Sequence, residues 1–247
     1  MPAQEYNMRK LLVVVLVLLS SVPAFSQTAK EKKNKDILSR SGDHLMLQIS
    51  SDHWLQAPDS VTSHIKGLSR GLNAYVMLNK PFRVDPRFSI AFGIGIGSSN
   101  IYFKKMTLDI ASSSTTLPFI ATDTTDRFKK FKLSTTFAEI PIEFRFTSNP
   151  DKPNKAIKVA LGAKIGTLLN AHTKGKITQN ASGKTLSNAI EKTSSKSYFN
   201  TTRLALTARI GYGNFTLFGA YNMTAMFKDA VTSDIKLLQV GITFSGL

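Results

Sequence analysis

The chain contains no cysteine. That excludes a disulfide framework, thiolate metal sites and a cysteine nucleophile. It holds one tryptophan, and only 16 Asp and Glu stand against 32 Lys and Arg, for a net charge of +16. A basic balance of that size points to nucleic acid or to an anionic membrane surface. No run beyond the N-terminus approaches the roughly 20 apolar residues of a spanning helix. With mean hydropathy near zero, this excludes a polytopic helical membrane protein. The 247 residues suffice for one domain with a substantial core.

The N-terminus carries the one unbroken apolar run. Arg9 and Lys10 precede Leu11–Leu19, and Ala24-Phe25-Ser26 stand before Gln27. A positive flank, a short apolar centre and small residues at the last and third-last positions define an export signal, with cleavage expected after Ser26. Met8 is a start that suits this flank better than Met1. Export weighs against nucleic acid, and no basic–aromatic platform is present. Residues 27–43 are polar and basic, with Lys30, Lys32, Lys33 and Lys35, and are expected to form a flexible periplasmic tail.

From residue 44 the pattern has period two, the signature of strands. Phe88, Ile90, Phe92, Ile94 and Ile96 alternate with Ser89, Ala91, Gly93 and Gly95. The same alternation runs through Ala138–Phe146, Ile157–Thr167, Arg203–Tyr212 and Leu237–Phe244, and more weakly through His44–Ser51, Leu72–Leu78 and Phe215–Met223. Runs of about nine to eleven residues match a tilted membrane-crossing strand. The expected fold is all-β: a transmembrane, antiparallel, up-and-down barrel of eight strands over 44–247.

The connections alternate in length, as such barrels require. Residues 52–71, 99–132, 168–200 and 224–234 are the longer ones; 79–87, 147–155 and Gly213-Asn214 are short. Both chain ends then fall in the periplasm. Aromatic residues are expected in two interface girdles: Phe82, Phe88, Phe144, Phe146, Tyr212, Phe215 and Phe244 at the short-turn end, and Trp54, Tyr102, Phe103, Tyr198, Phe199 and Phe227 at the other.

The polar face carries Glu139, Glu143, Arg145, Lys158, Lys164, Arg203 and Arg209 among Gly, Ala, Ser and Thr. Opposite charges and small residues on one face suit a narrow, packed, polar interior, and eight strands leave just that much room. These seven residues are read as a lumen ion-pair network rather than a solute path, because an unpaired buried ion costs several kcal/mol. Pro141, in mid-strand, is expected to mark an inward bulge or kink. Gly93, Gly95 and Gly97 alternate with isoleucine and open no helix, so they signal close packing and not a phosphate loop. Of His44, His53, His64 and His172, only His53 and His64 lie near other catalytic residue types (Asp52, Asp59 and Ser60). Their spacing fits no hydrolytic motif and no metal site. No catalytic residue, cofactor or metal is therefore assigned.

The segment Phe137-Ala138-Glu139-Ile140-Pro141-Ile142-Glu143-Phe144 resembles the "LEIPL" strand of the PorT-like outer-membrane β-barrel family of Bacteroidetes. The Gly-rich strand Ile90–Gly97, Leu161-Gly162-Ala163 and the final hydrophobic strand near Phe244 are similar to it as well. The family ends on its terminal aromatic, whereas Ser245-Gly246-Leu247 follow Phe244 here. The resemblance implies a small outer-membrane barrel, inserted by the barrel-assembly machinery; the founding member belongs to a gliding-associated protein-secretion system. Three functions are open at this point. One is a non-enzymatic structural or accessory barrel acting through long external loops. A second is a subunit of a secretion or envelope-assembly machine, and a third is a lipid-modifying barrel enzyme using His53 or His64. Expected partners are outer-membrane lipid and lipopolysaccharide, whose phosphates external lysines around Lys129, Lys130 and Lys132 and across 174–196 could bridge, together with envelope or secretion proteins.

Overall fold

The computed structural model describes residues 45–122, 126–229 and 231–245. The expected signal segment 1–26, the tail 27–43 and His44 lie outside the described residues. The strands are β1 (Leu45–Leu55), β2 (Arg70–Pro81), β3 (Phe88–Phe103), β4 (Met106–Leu108), β5 (Phe119–Ala121), β6 (Arg127–Thr147), β7 (Ile157–Gln179), β8 (Thr185–Ser194), β9 (Thr202–Tyr212), β10 (Phe215–Asn222) and β11 (Lys236–Ser245). One short helix, α1 (Asp59–Thr62), follows β1, and a 3-10 turn, Pro153–Lys155, precedes β7.

Eight strands close into a barrel in the order β1-β2-β3-β6-β7-β9-β10-β11, every neighbour antiparallel, with β11 pairing back onto β1 from Met46↔Ser245 to Leu55↔Lys236. Each expected strand is present. The two-residue connection between β9 and β10 has Gly213 at φ +60° in its first central position, a conformation that glycine adopts without a Cβ penalty. Its tight twist keeps Tyr212 opposite Phe215.

Closure satisfies the backbone, so the side chains alone choose which face meets which medium. Outward Ile94, Ile142, Leu161, Ile210 and Ile242 remain more than half exposed, while Glu139, Glu143, Arg145, Lys158, Lys164, Arg203 and Arg209 are all buried. The barrel is apolar outside and polar inside, the reverse of a soluble ligand-binding barrel. At the short-turn end Phe82, Phe88, Phe144 and Phe146 form one outward ring cluster, with centroid distances of 6.1, 5.7 and 5.2 Å between successive partners, and Phe215 meets Phe244 at 4.9 Å.

Three features depart from the sequence reading. First, much of the expected long connections 99–132 and 168–200 is strand. β3 continues to Phe103, β6 starts at Arg127, β7 runs to Gln179, and β8 folds back along it. These extensions stand beyond the apolar belt, where the outward face is polar, so the outward-facing apolar alternation that marks a lipid-facing strand is missing.

Second, Trp54, Phe103, Tyr198, Phe199 and Phe227 do not form an outer girdle. They are buried in a core at the long-loop end together with Ile101, Met106, Leu108, Ile110, Leu133, Met226, Ile235 and Leu237. Trp54 and Phe103 have the inward parity of Asp52 and Ile101; the strands simply continue upward and the loops fold over them. Tyr102 alone of that set stands on the outward side.

Third, the bulge lies at Leu169, not at Pro141. Phe137 pairs with Leu168 and Thr136 with Asn170, which leaves Leu169 extra. At Pro141 the register is unchanged on both sides: Lys164 faces it on β7, and the β3 ladder resumes from Phe92↔Ile142 to Gly95↔Glu139. The missing N–H opens only a gap, and the register sets Gly93, which has no side chain to obstruct the ring, opposite the proline.

Candidate functional site

The barrel interior is built by inward parity. Strand residues alternate faces, so Gln48, Ser50 and Asp52 of β1, Asn73, Tyr75 and Met77 of β2, Glu139, Pro141, Glu143 and Arg145 of β6, Lys158 and Lys164 of β7, Arg203 and Arg209 of β9, and Gln239 and Thr243 of β11 all point inward. Small residues on facing strands make room for them. A Cβ on Gly97 would lie 2.5 Å from Glu139 Oε2 and 3.0 Å from Asn73 Oδ1, so this position admits only glycine while the carboxylate stands there.

Two clusters form. Around Glu139, Tyr75 donates its hydroxyl to Oε2 at 2.5 Å and Lys164 Nζ stands 3.4 Å from the same oxygen, while Arg203 donates to Oε1. The Arg203 guanidinium also lies over the Phe137 ring, 4.1 Å from its centre. Lys164 further donates to Tyr75 Oη at 3.3 Å and to Gln239 Oε1 at 3.2 Å. Gln239 in turn donates to both Asp52 oxygens at 3.2 Å, and Ser50 Oγ donates to Asp52 at 2.5 Å. Around Glu143, Arg145 donates through Nε at 2.8 Å, and Arg209 donates through Nε to Oε1 at 3.0 Å and through Nη2 to Oε2 at 2.7 Å. Arg209 also donates to Thr216 Oγ1 at 3.3 Å. Lys158 lines a small space with Arg145, Arg209 and Thr216.

The structure thus brings Glu139 together with Lys164 and Arg203, and Glu143 together with Arg145 and Arg209. Asp52, Tyr75, Ser50 and Gln239 join this network without having been assigned to it by the sequence reading. Asp52 was counted as a loop residue, although it continues the inward series Gln48, Ser50 in unbroken alternation.

The interior is closed at both levels. The space beside Arg145, Lys158 and Arg209 and the one beside Phe137, Arg203, Asn222 and Met226 are about 10 Å³ each, no more than a single water occupies. Toward the short turns Met46, Tyr75, Met77 and Ala91 pack together. Toward the long loops the aromatic core seals the mouth: Trp54 meets Phe103 at 5.6 Å and Phe227 at 5.8 Å, edge to face, and Phe199 packs on Phe227 at 5.1 Å.

The structure does not bring His53 together with Asp52. Asp52 points into the barrel, whereas its neighbour His53 is exposed on the outer face and contacts Ser51 Oγ at 3.0 Å. His64 sits after α1, with Nδ1 2.9 Å from the Ser60 carbonyl oxygen and 3.1 Å from Ser63 Oγ. Among the described residues no group of three or more His, Cys, Asp or Glu is placed to hold a metal ion.

A closed antiparallel barrel with a lipid-facing apolar exterior and a filled polar interior defines a membrane-spanning β-barrel. Residues 25–227 match the outer membrane protein beta-barrel domain family, and the chain belongs to it. Its place is the outer membrane. No curated protein matches the chain. Among solved structures it is similar to Ail, the attachment invasion locus protein of Yersinia pestis, with 14% identity, a TM-score of 0.30, and coverage of 81% of this chain and 95% of that one.

Proposed function

We propose that this protein is a non-enzymatic structural or accessory barrel that works through its external sheet and loops and not through its lumen. The observation that carries this reading is the filled interior: two ion-pair clusters, small residual spaces and an aromatic seal leave no route for a solute. What remains available to a partner is the protruding sheet of β6, β7 and β8. Every residue of β8 is exposed, and among the described residues no further strand covers its outer edge. A free edge offers a row of backbone donors and acceptors for strand addition. On this reading residues 1–26 act as a signal removed after Ser26, so the N-terminal residue of the mature chain is Gln27.

Planar bilayer recording of the purified barrel tests the claim about the lumen. No conductance steps are expected, and stable steps of uniform size would overturn it. Deleting Thr185–Ser194 is expected to abolish attachment of the protein to its partner surface while leaving insertion intact. A second reading, a subunit of a secretion or envelope-assembly machine, is supported by the PorT-like character of Phe137–Phe144. Co-purification of secretion components from cross-linked envelopes would favour it.

A further inference from the structure

Beyond the apolar belt, the outward face of the β6–β7–β8 extension is a wall of lysines. Lys132 pairs with Lys174, and Lys174 with Lys192; Lys130 pairs with Lys176. Residues directly opposite on antiparallel strands share a face, and like charges placed so destabilise the sheet. The five ammonium groups occupy two adjacent rungs. Among the described residues no carboxylate of these strands relieves them: Glu191 is the one acid in the segments 127–136, 170–179 and 185–194, and it pairs with Gly175 on the opposite face. Burial first, and then the charges of Lys174 and Lys176, hold the Lys132 amine below its ordinary value. Lys132 Nζ is steadied by Asn100 Oδ1 at 2.6 Å and stands 5.8 Å from the centre of the Tyr102 ring. Arg70, opposite Asn100 on β2, adds a sixth cation to this face.

The direction of this face identifies the partner. Lys130 and Lys132 share outward parity with Ile140, Ile142 and Phe144, which meet lipid. On β7 the belt ends at Leu169, and Lys174 is five residues further along. At about 3.3 Å per residue and a tilt of about 40° this is a rise of roughly 12 Å, the layer in which the phosphorylated sugars of outer-leaflet glycolipids lie. Long lysine stems shorten that rise further by reaching toward the interface, and an outward tyrosine suits the same depth. A site for a soluble polyanion would point away from the membrane; this one points along it.

We propose that Lys130, Lys132, Lys174, Lys176 and Lys192, with Arg70 and Tyr102 beside them, bind the phosphate groups of outer-leaflet glycolipid, clamping the barrel into its membrane. The inference rests on the long-loop end facing outward. Protease cleavage of the β7–β8 hairpin on intact cells reads that orientation separately, so a wrong orientation and a wrong ligand give different results.

The experiment titrates the full barrel in detergent micelles with bis-phosphorylated lipid A and with its dephosphorylated form. It compares wild type with the triple variant Lys132→Gln, Lys174→Gln, Lys192→Gln. A control variant, Lys80→Gln, Arg83→Gln, Lys152→Gln, removes the same charge at the short-turn end. Binding of the phosphorylated lipid is expected to weaken on the order of a hundredfold in the first variant, near fivefold per lysine, and to stay unchanged in the control. Equal binding by the first variant, with its heat-modifiable gel shift intact, overturns the proposal. So does equal binding of dephosphorylated lipid, or competition by inorganic phosphate or duplex DNA as effective as that by the lipid.

Discussion

Arg209 on β9 grips Glu143 on β6 through two nitrogens, at 3.0 and 2.7 Å, reaching past the intervening strand β7. A planar guanidinium fork on a carboxylate fixes direction as well as distance, so the pair ties together two strands that share no backbone hydrogen bond. Glu143→Gln keeps the shape but takes the counter-charge from both Arg145 and Arg209. Leaving buried cations uncompensated costs about 3–5 kcal/mol. The folded band on unboiled gels is therefore expected to disappear at a clearly lower urea concentration than in wild type. Adding Arg209→Met to that variant should restore part of the loss, because the two changes are coupled. An additive double variant would contradict the pairing.

Gly97 is the complementary case, in which space and not charge decides. An alanine there would push its Cβ against the Glu139 carboxylate, which Tyr75, Lys164 and Arg203 already hold in place. Overpacking a filled interior costs roughly 1–3 kcal/mol. Gly97→Ala should lower the urea midpoint by a corresponding amount. Gly67→Ala, where a Cβ would meet nothing within 4 Å, should leave the midpoint where it is. Equal midpoints for the two variants would show that the interior yields more readily than its packing implies.

The strands that cross the membrane were legible because lipid on one side and a packed lumen on the other impose strict alternation, as in Ile90–Ile96 against Gly93 and Gly95. The charged residues of that inner face were legible for the same reason. Pro141 was misread because its missing N–H leaves a gap in the ladder without shifting the register, with Gly93 at the position opposite. The parts beyond the belt were hidden by the loss of that constraint. Lys130, Lys132, Lys174 and Lys176 read as loop because water accepts them on the outer face. Trp54 and Phe103 read as girdle because they stand at the strand ends, although the alternation of β1 and β3 carried through Asp52 and Ile101 puts both on the inward side. Asp52 was reachable by extending the alternation of β1 two residues beyond Ser50.

The aromatic seal at the mouth predicts a separable unit of stability. Phe227 is 1% exposed and touches Trp54 and Phe199. Truncation of a buried Phe removes about 3–5 kcal/mol of local packing, but the barrel wall keeps its own hydrogen bonds and ion pairs. Phe227→Ala should therefore make the long connections sensitive to limited proteolysis while the heat-modifiable shift of the barrel survives. Loss of both together would mean that wall and cap fold as one cooperative unit.

At the opposite end, the turn between β2 and β3 carries an exposed pair that gives a clean titration. Arg87 donates through Nε and Nη2 to the Asp85 carboxylate, at 3.0 and 2.8 Å, and through its backbone N–H at 3.0 Å. The side-chain bonds first, and the backbone bond second, hold the Asp85 carboxyl below its ordinary value. A group whose folded value is lowered contributes stability at neutral pH, and that contribution is lost as the pH falls through the folded value. In Arg87→Ala the guanidinium is gone while the backbone donor stays, so the carbon-13 titration midpoint of the Asp85 carboxyl should move up most of the way toward that of a free aspartate. An unchanged midpoint would mean that the backbone N–H alone sets the turn.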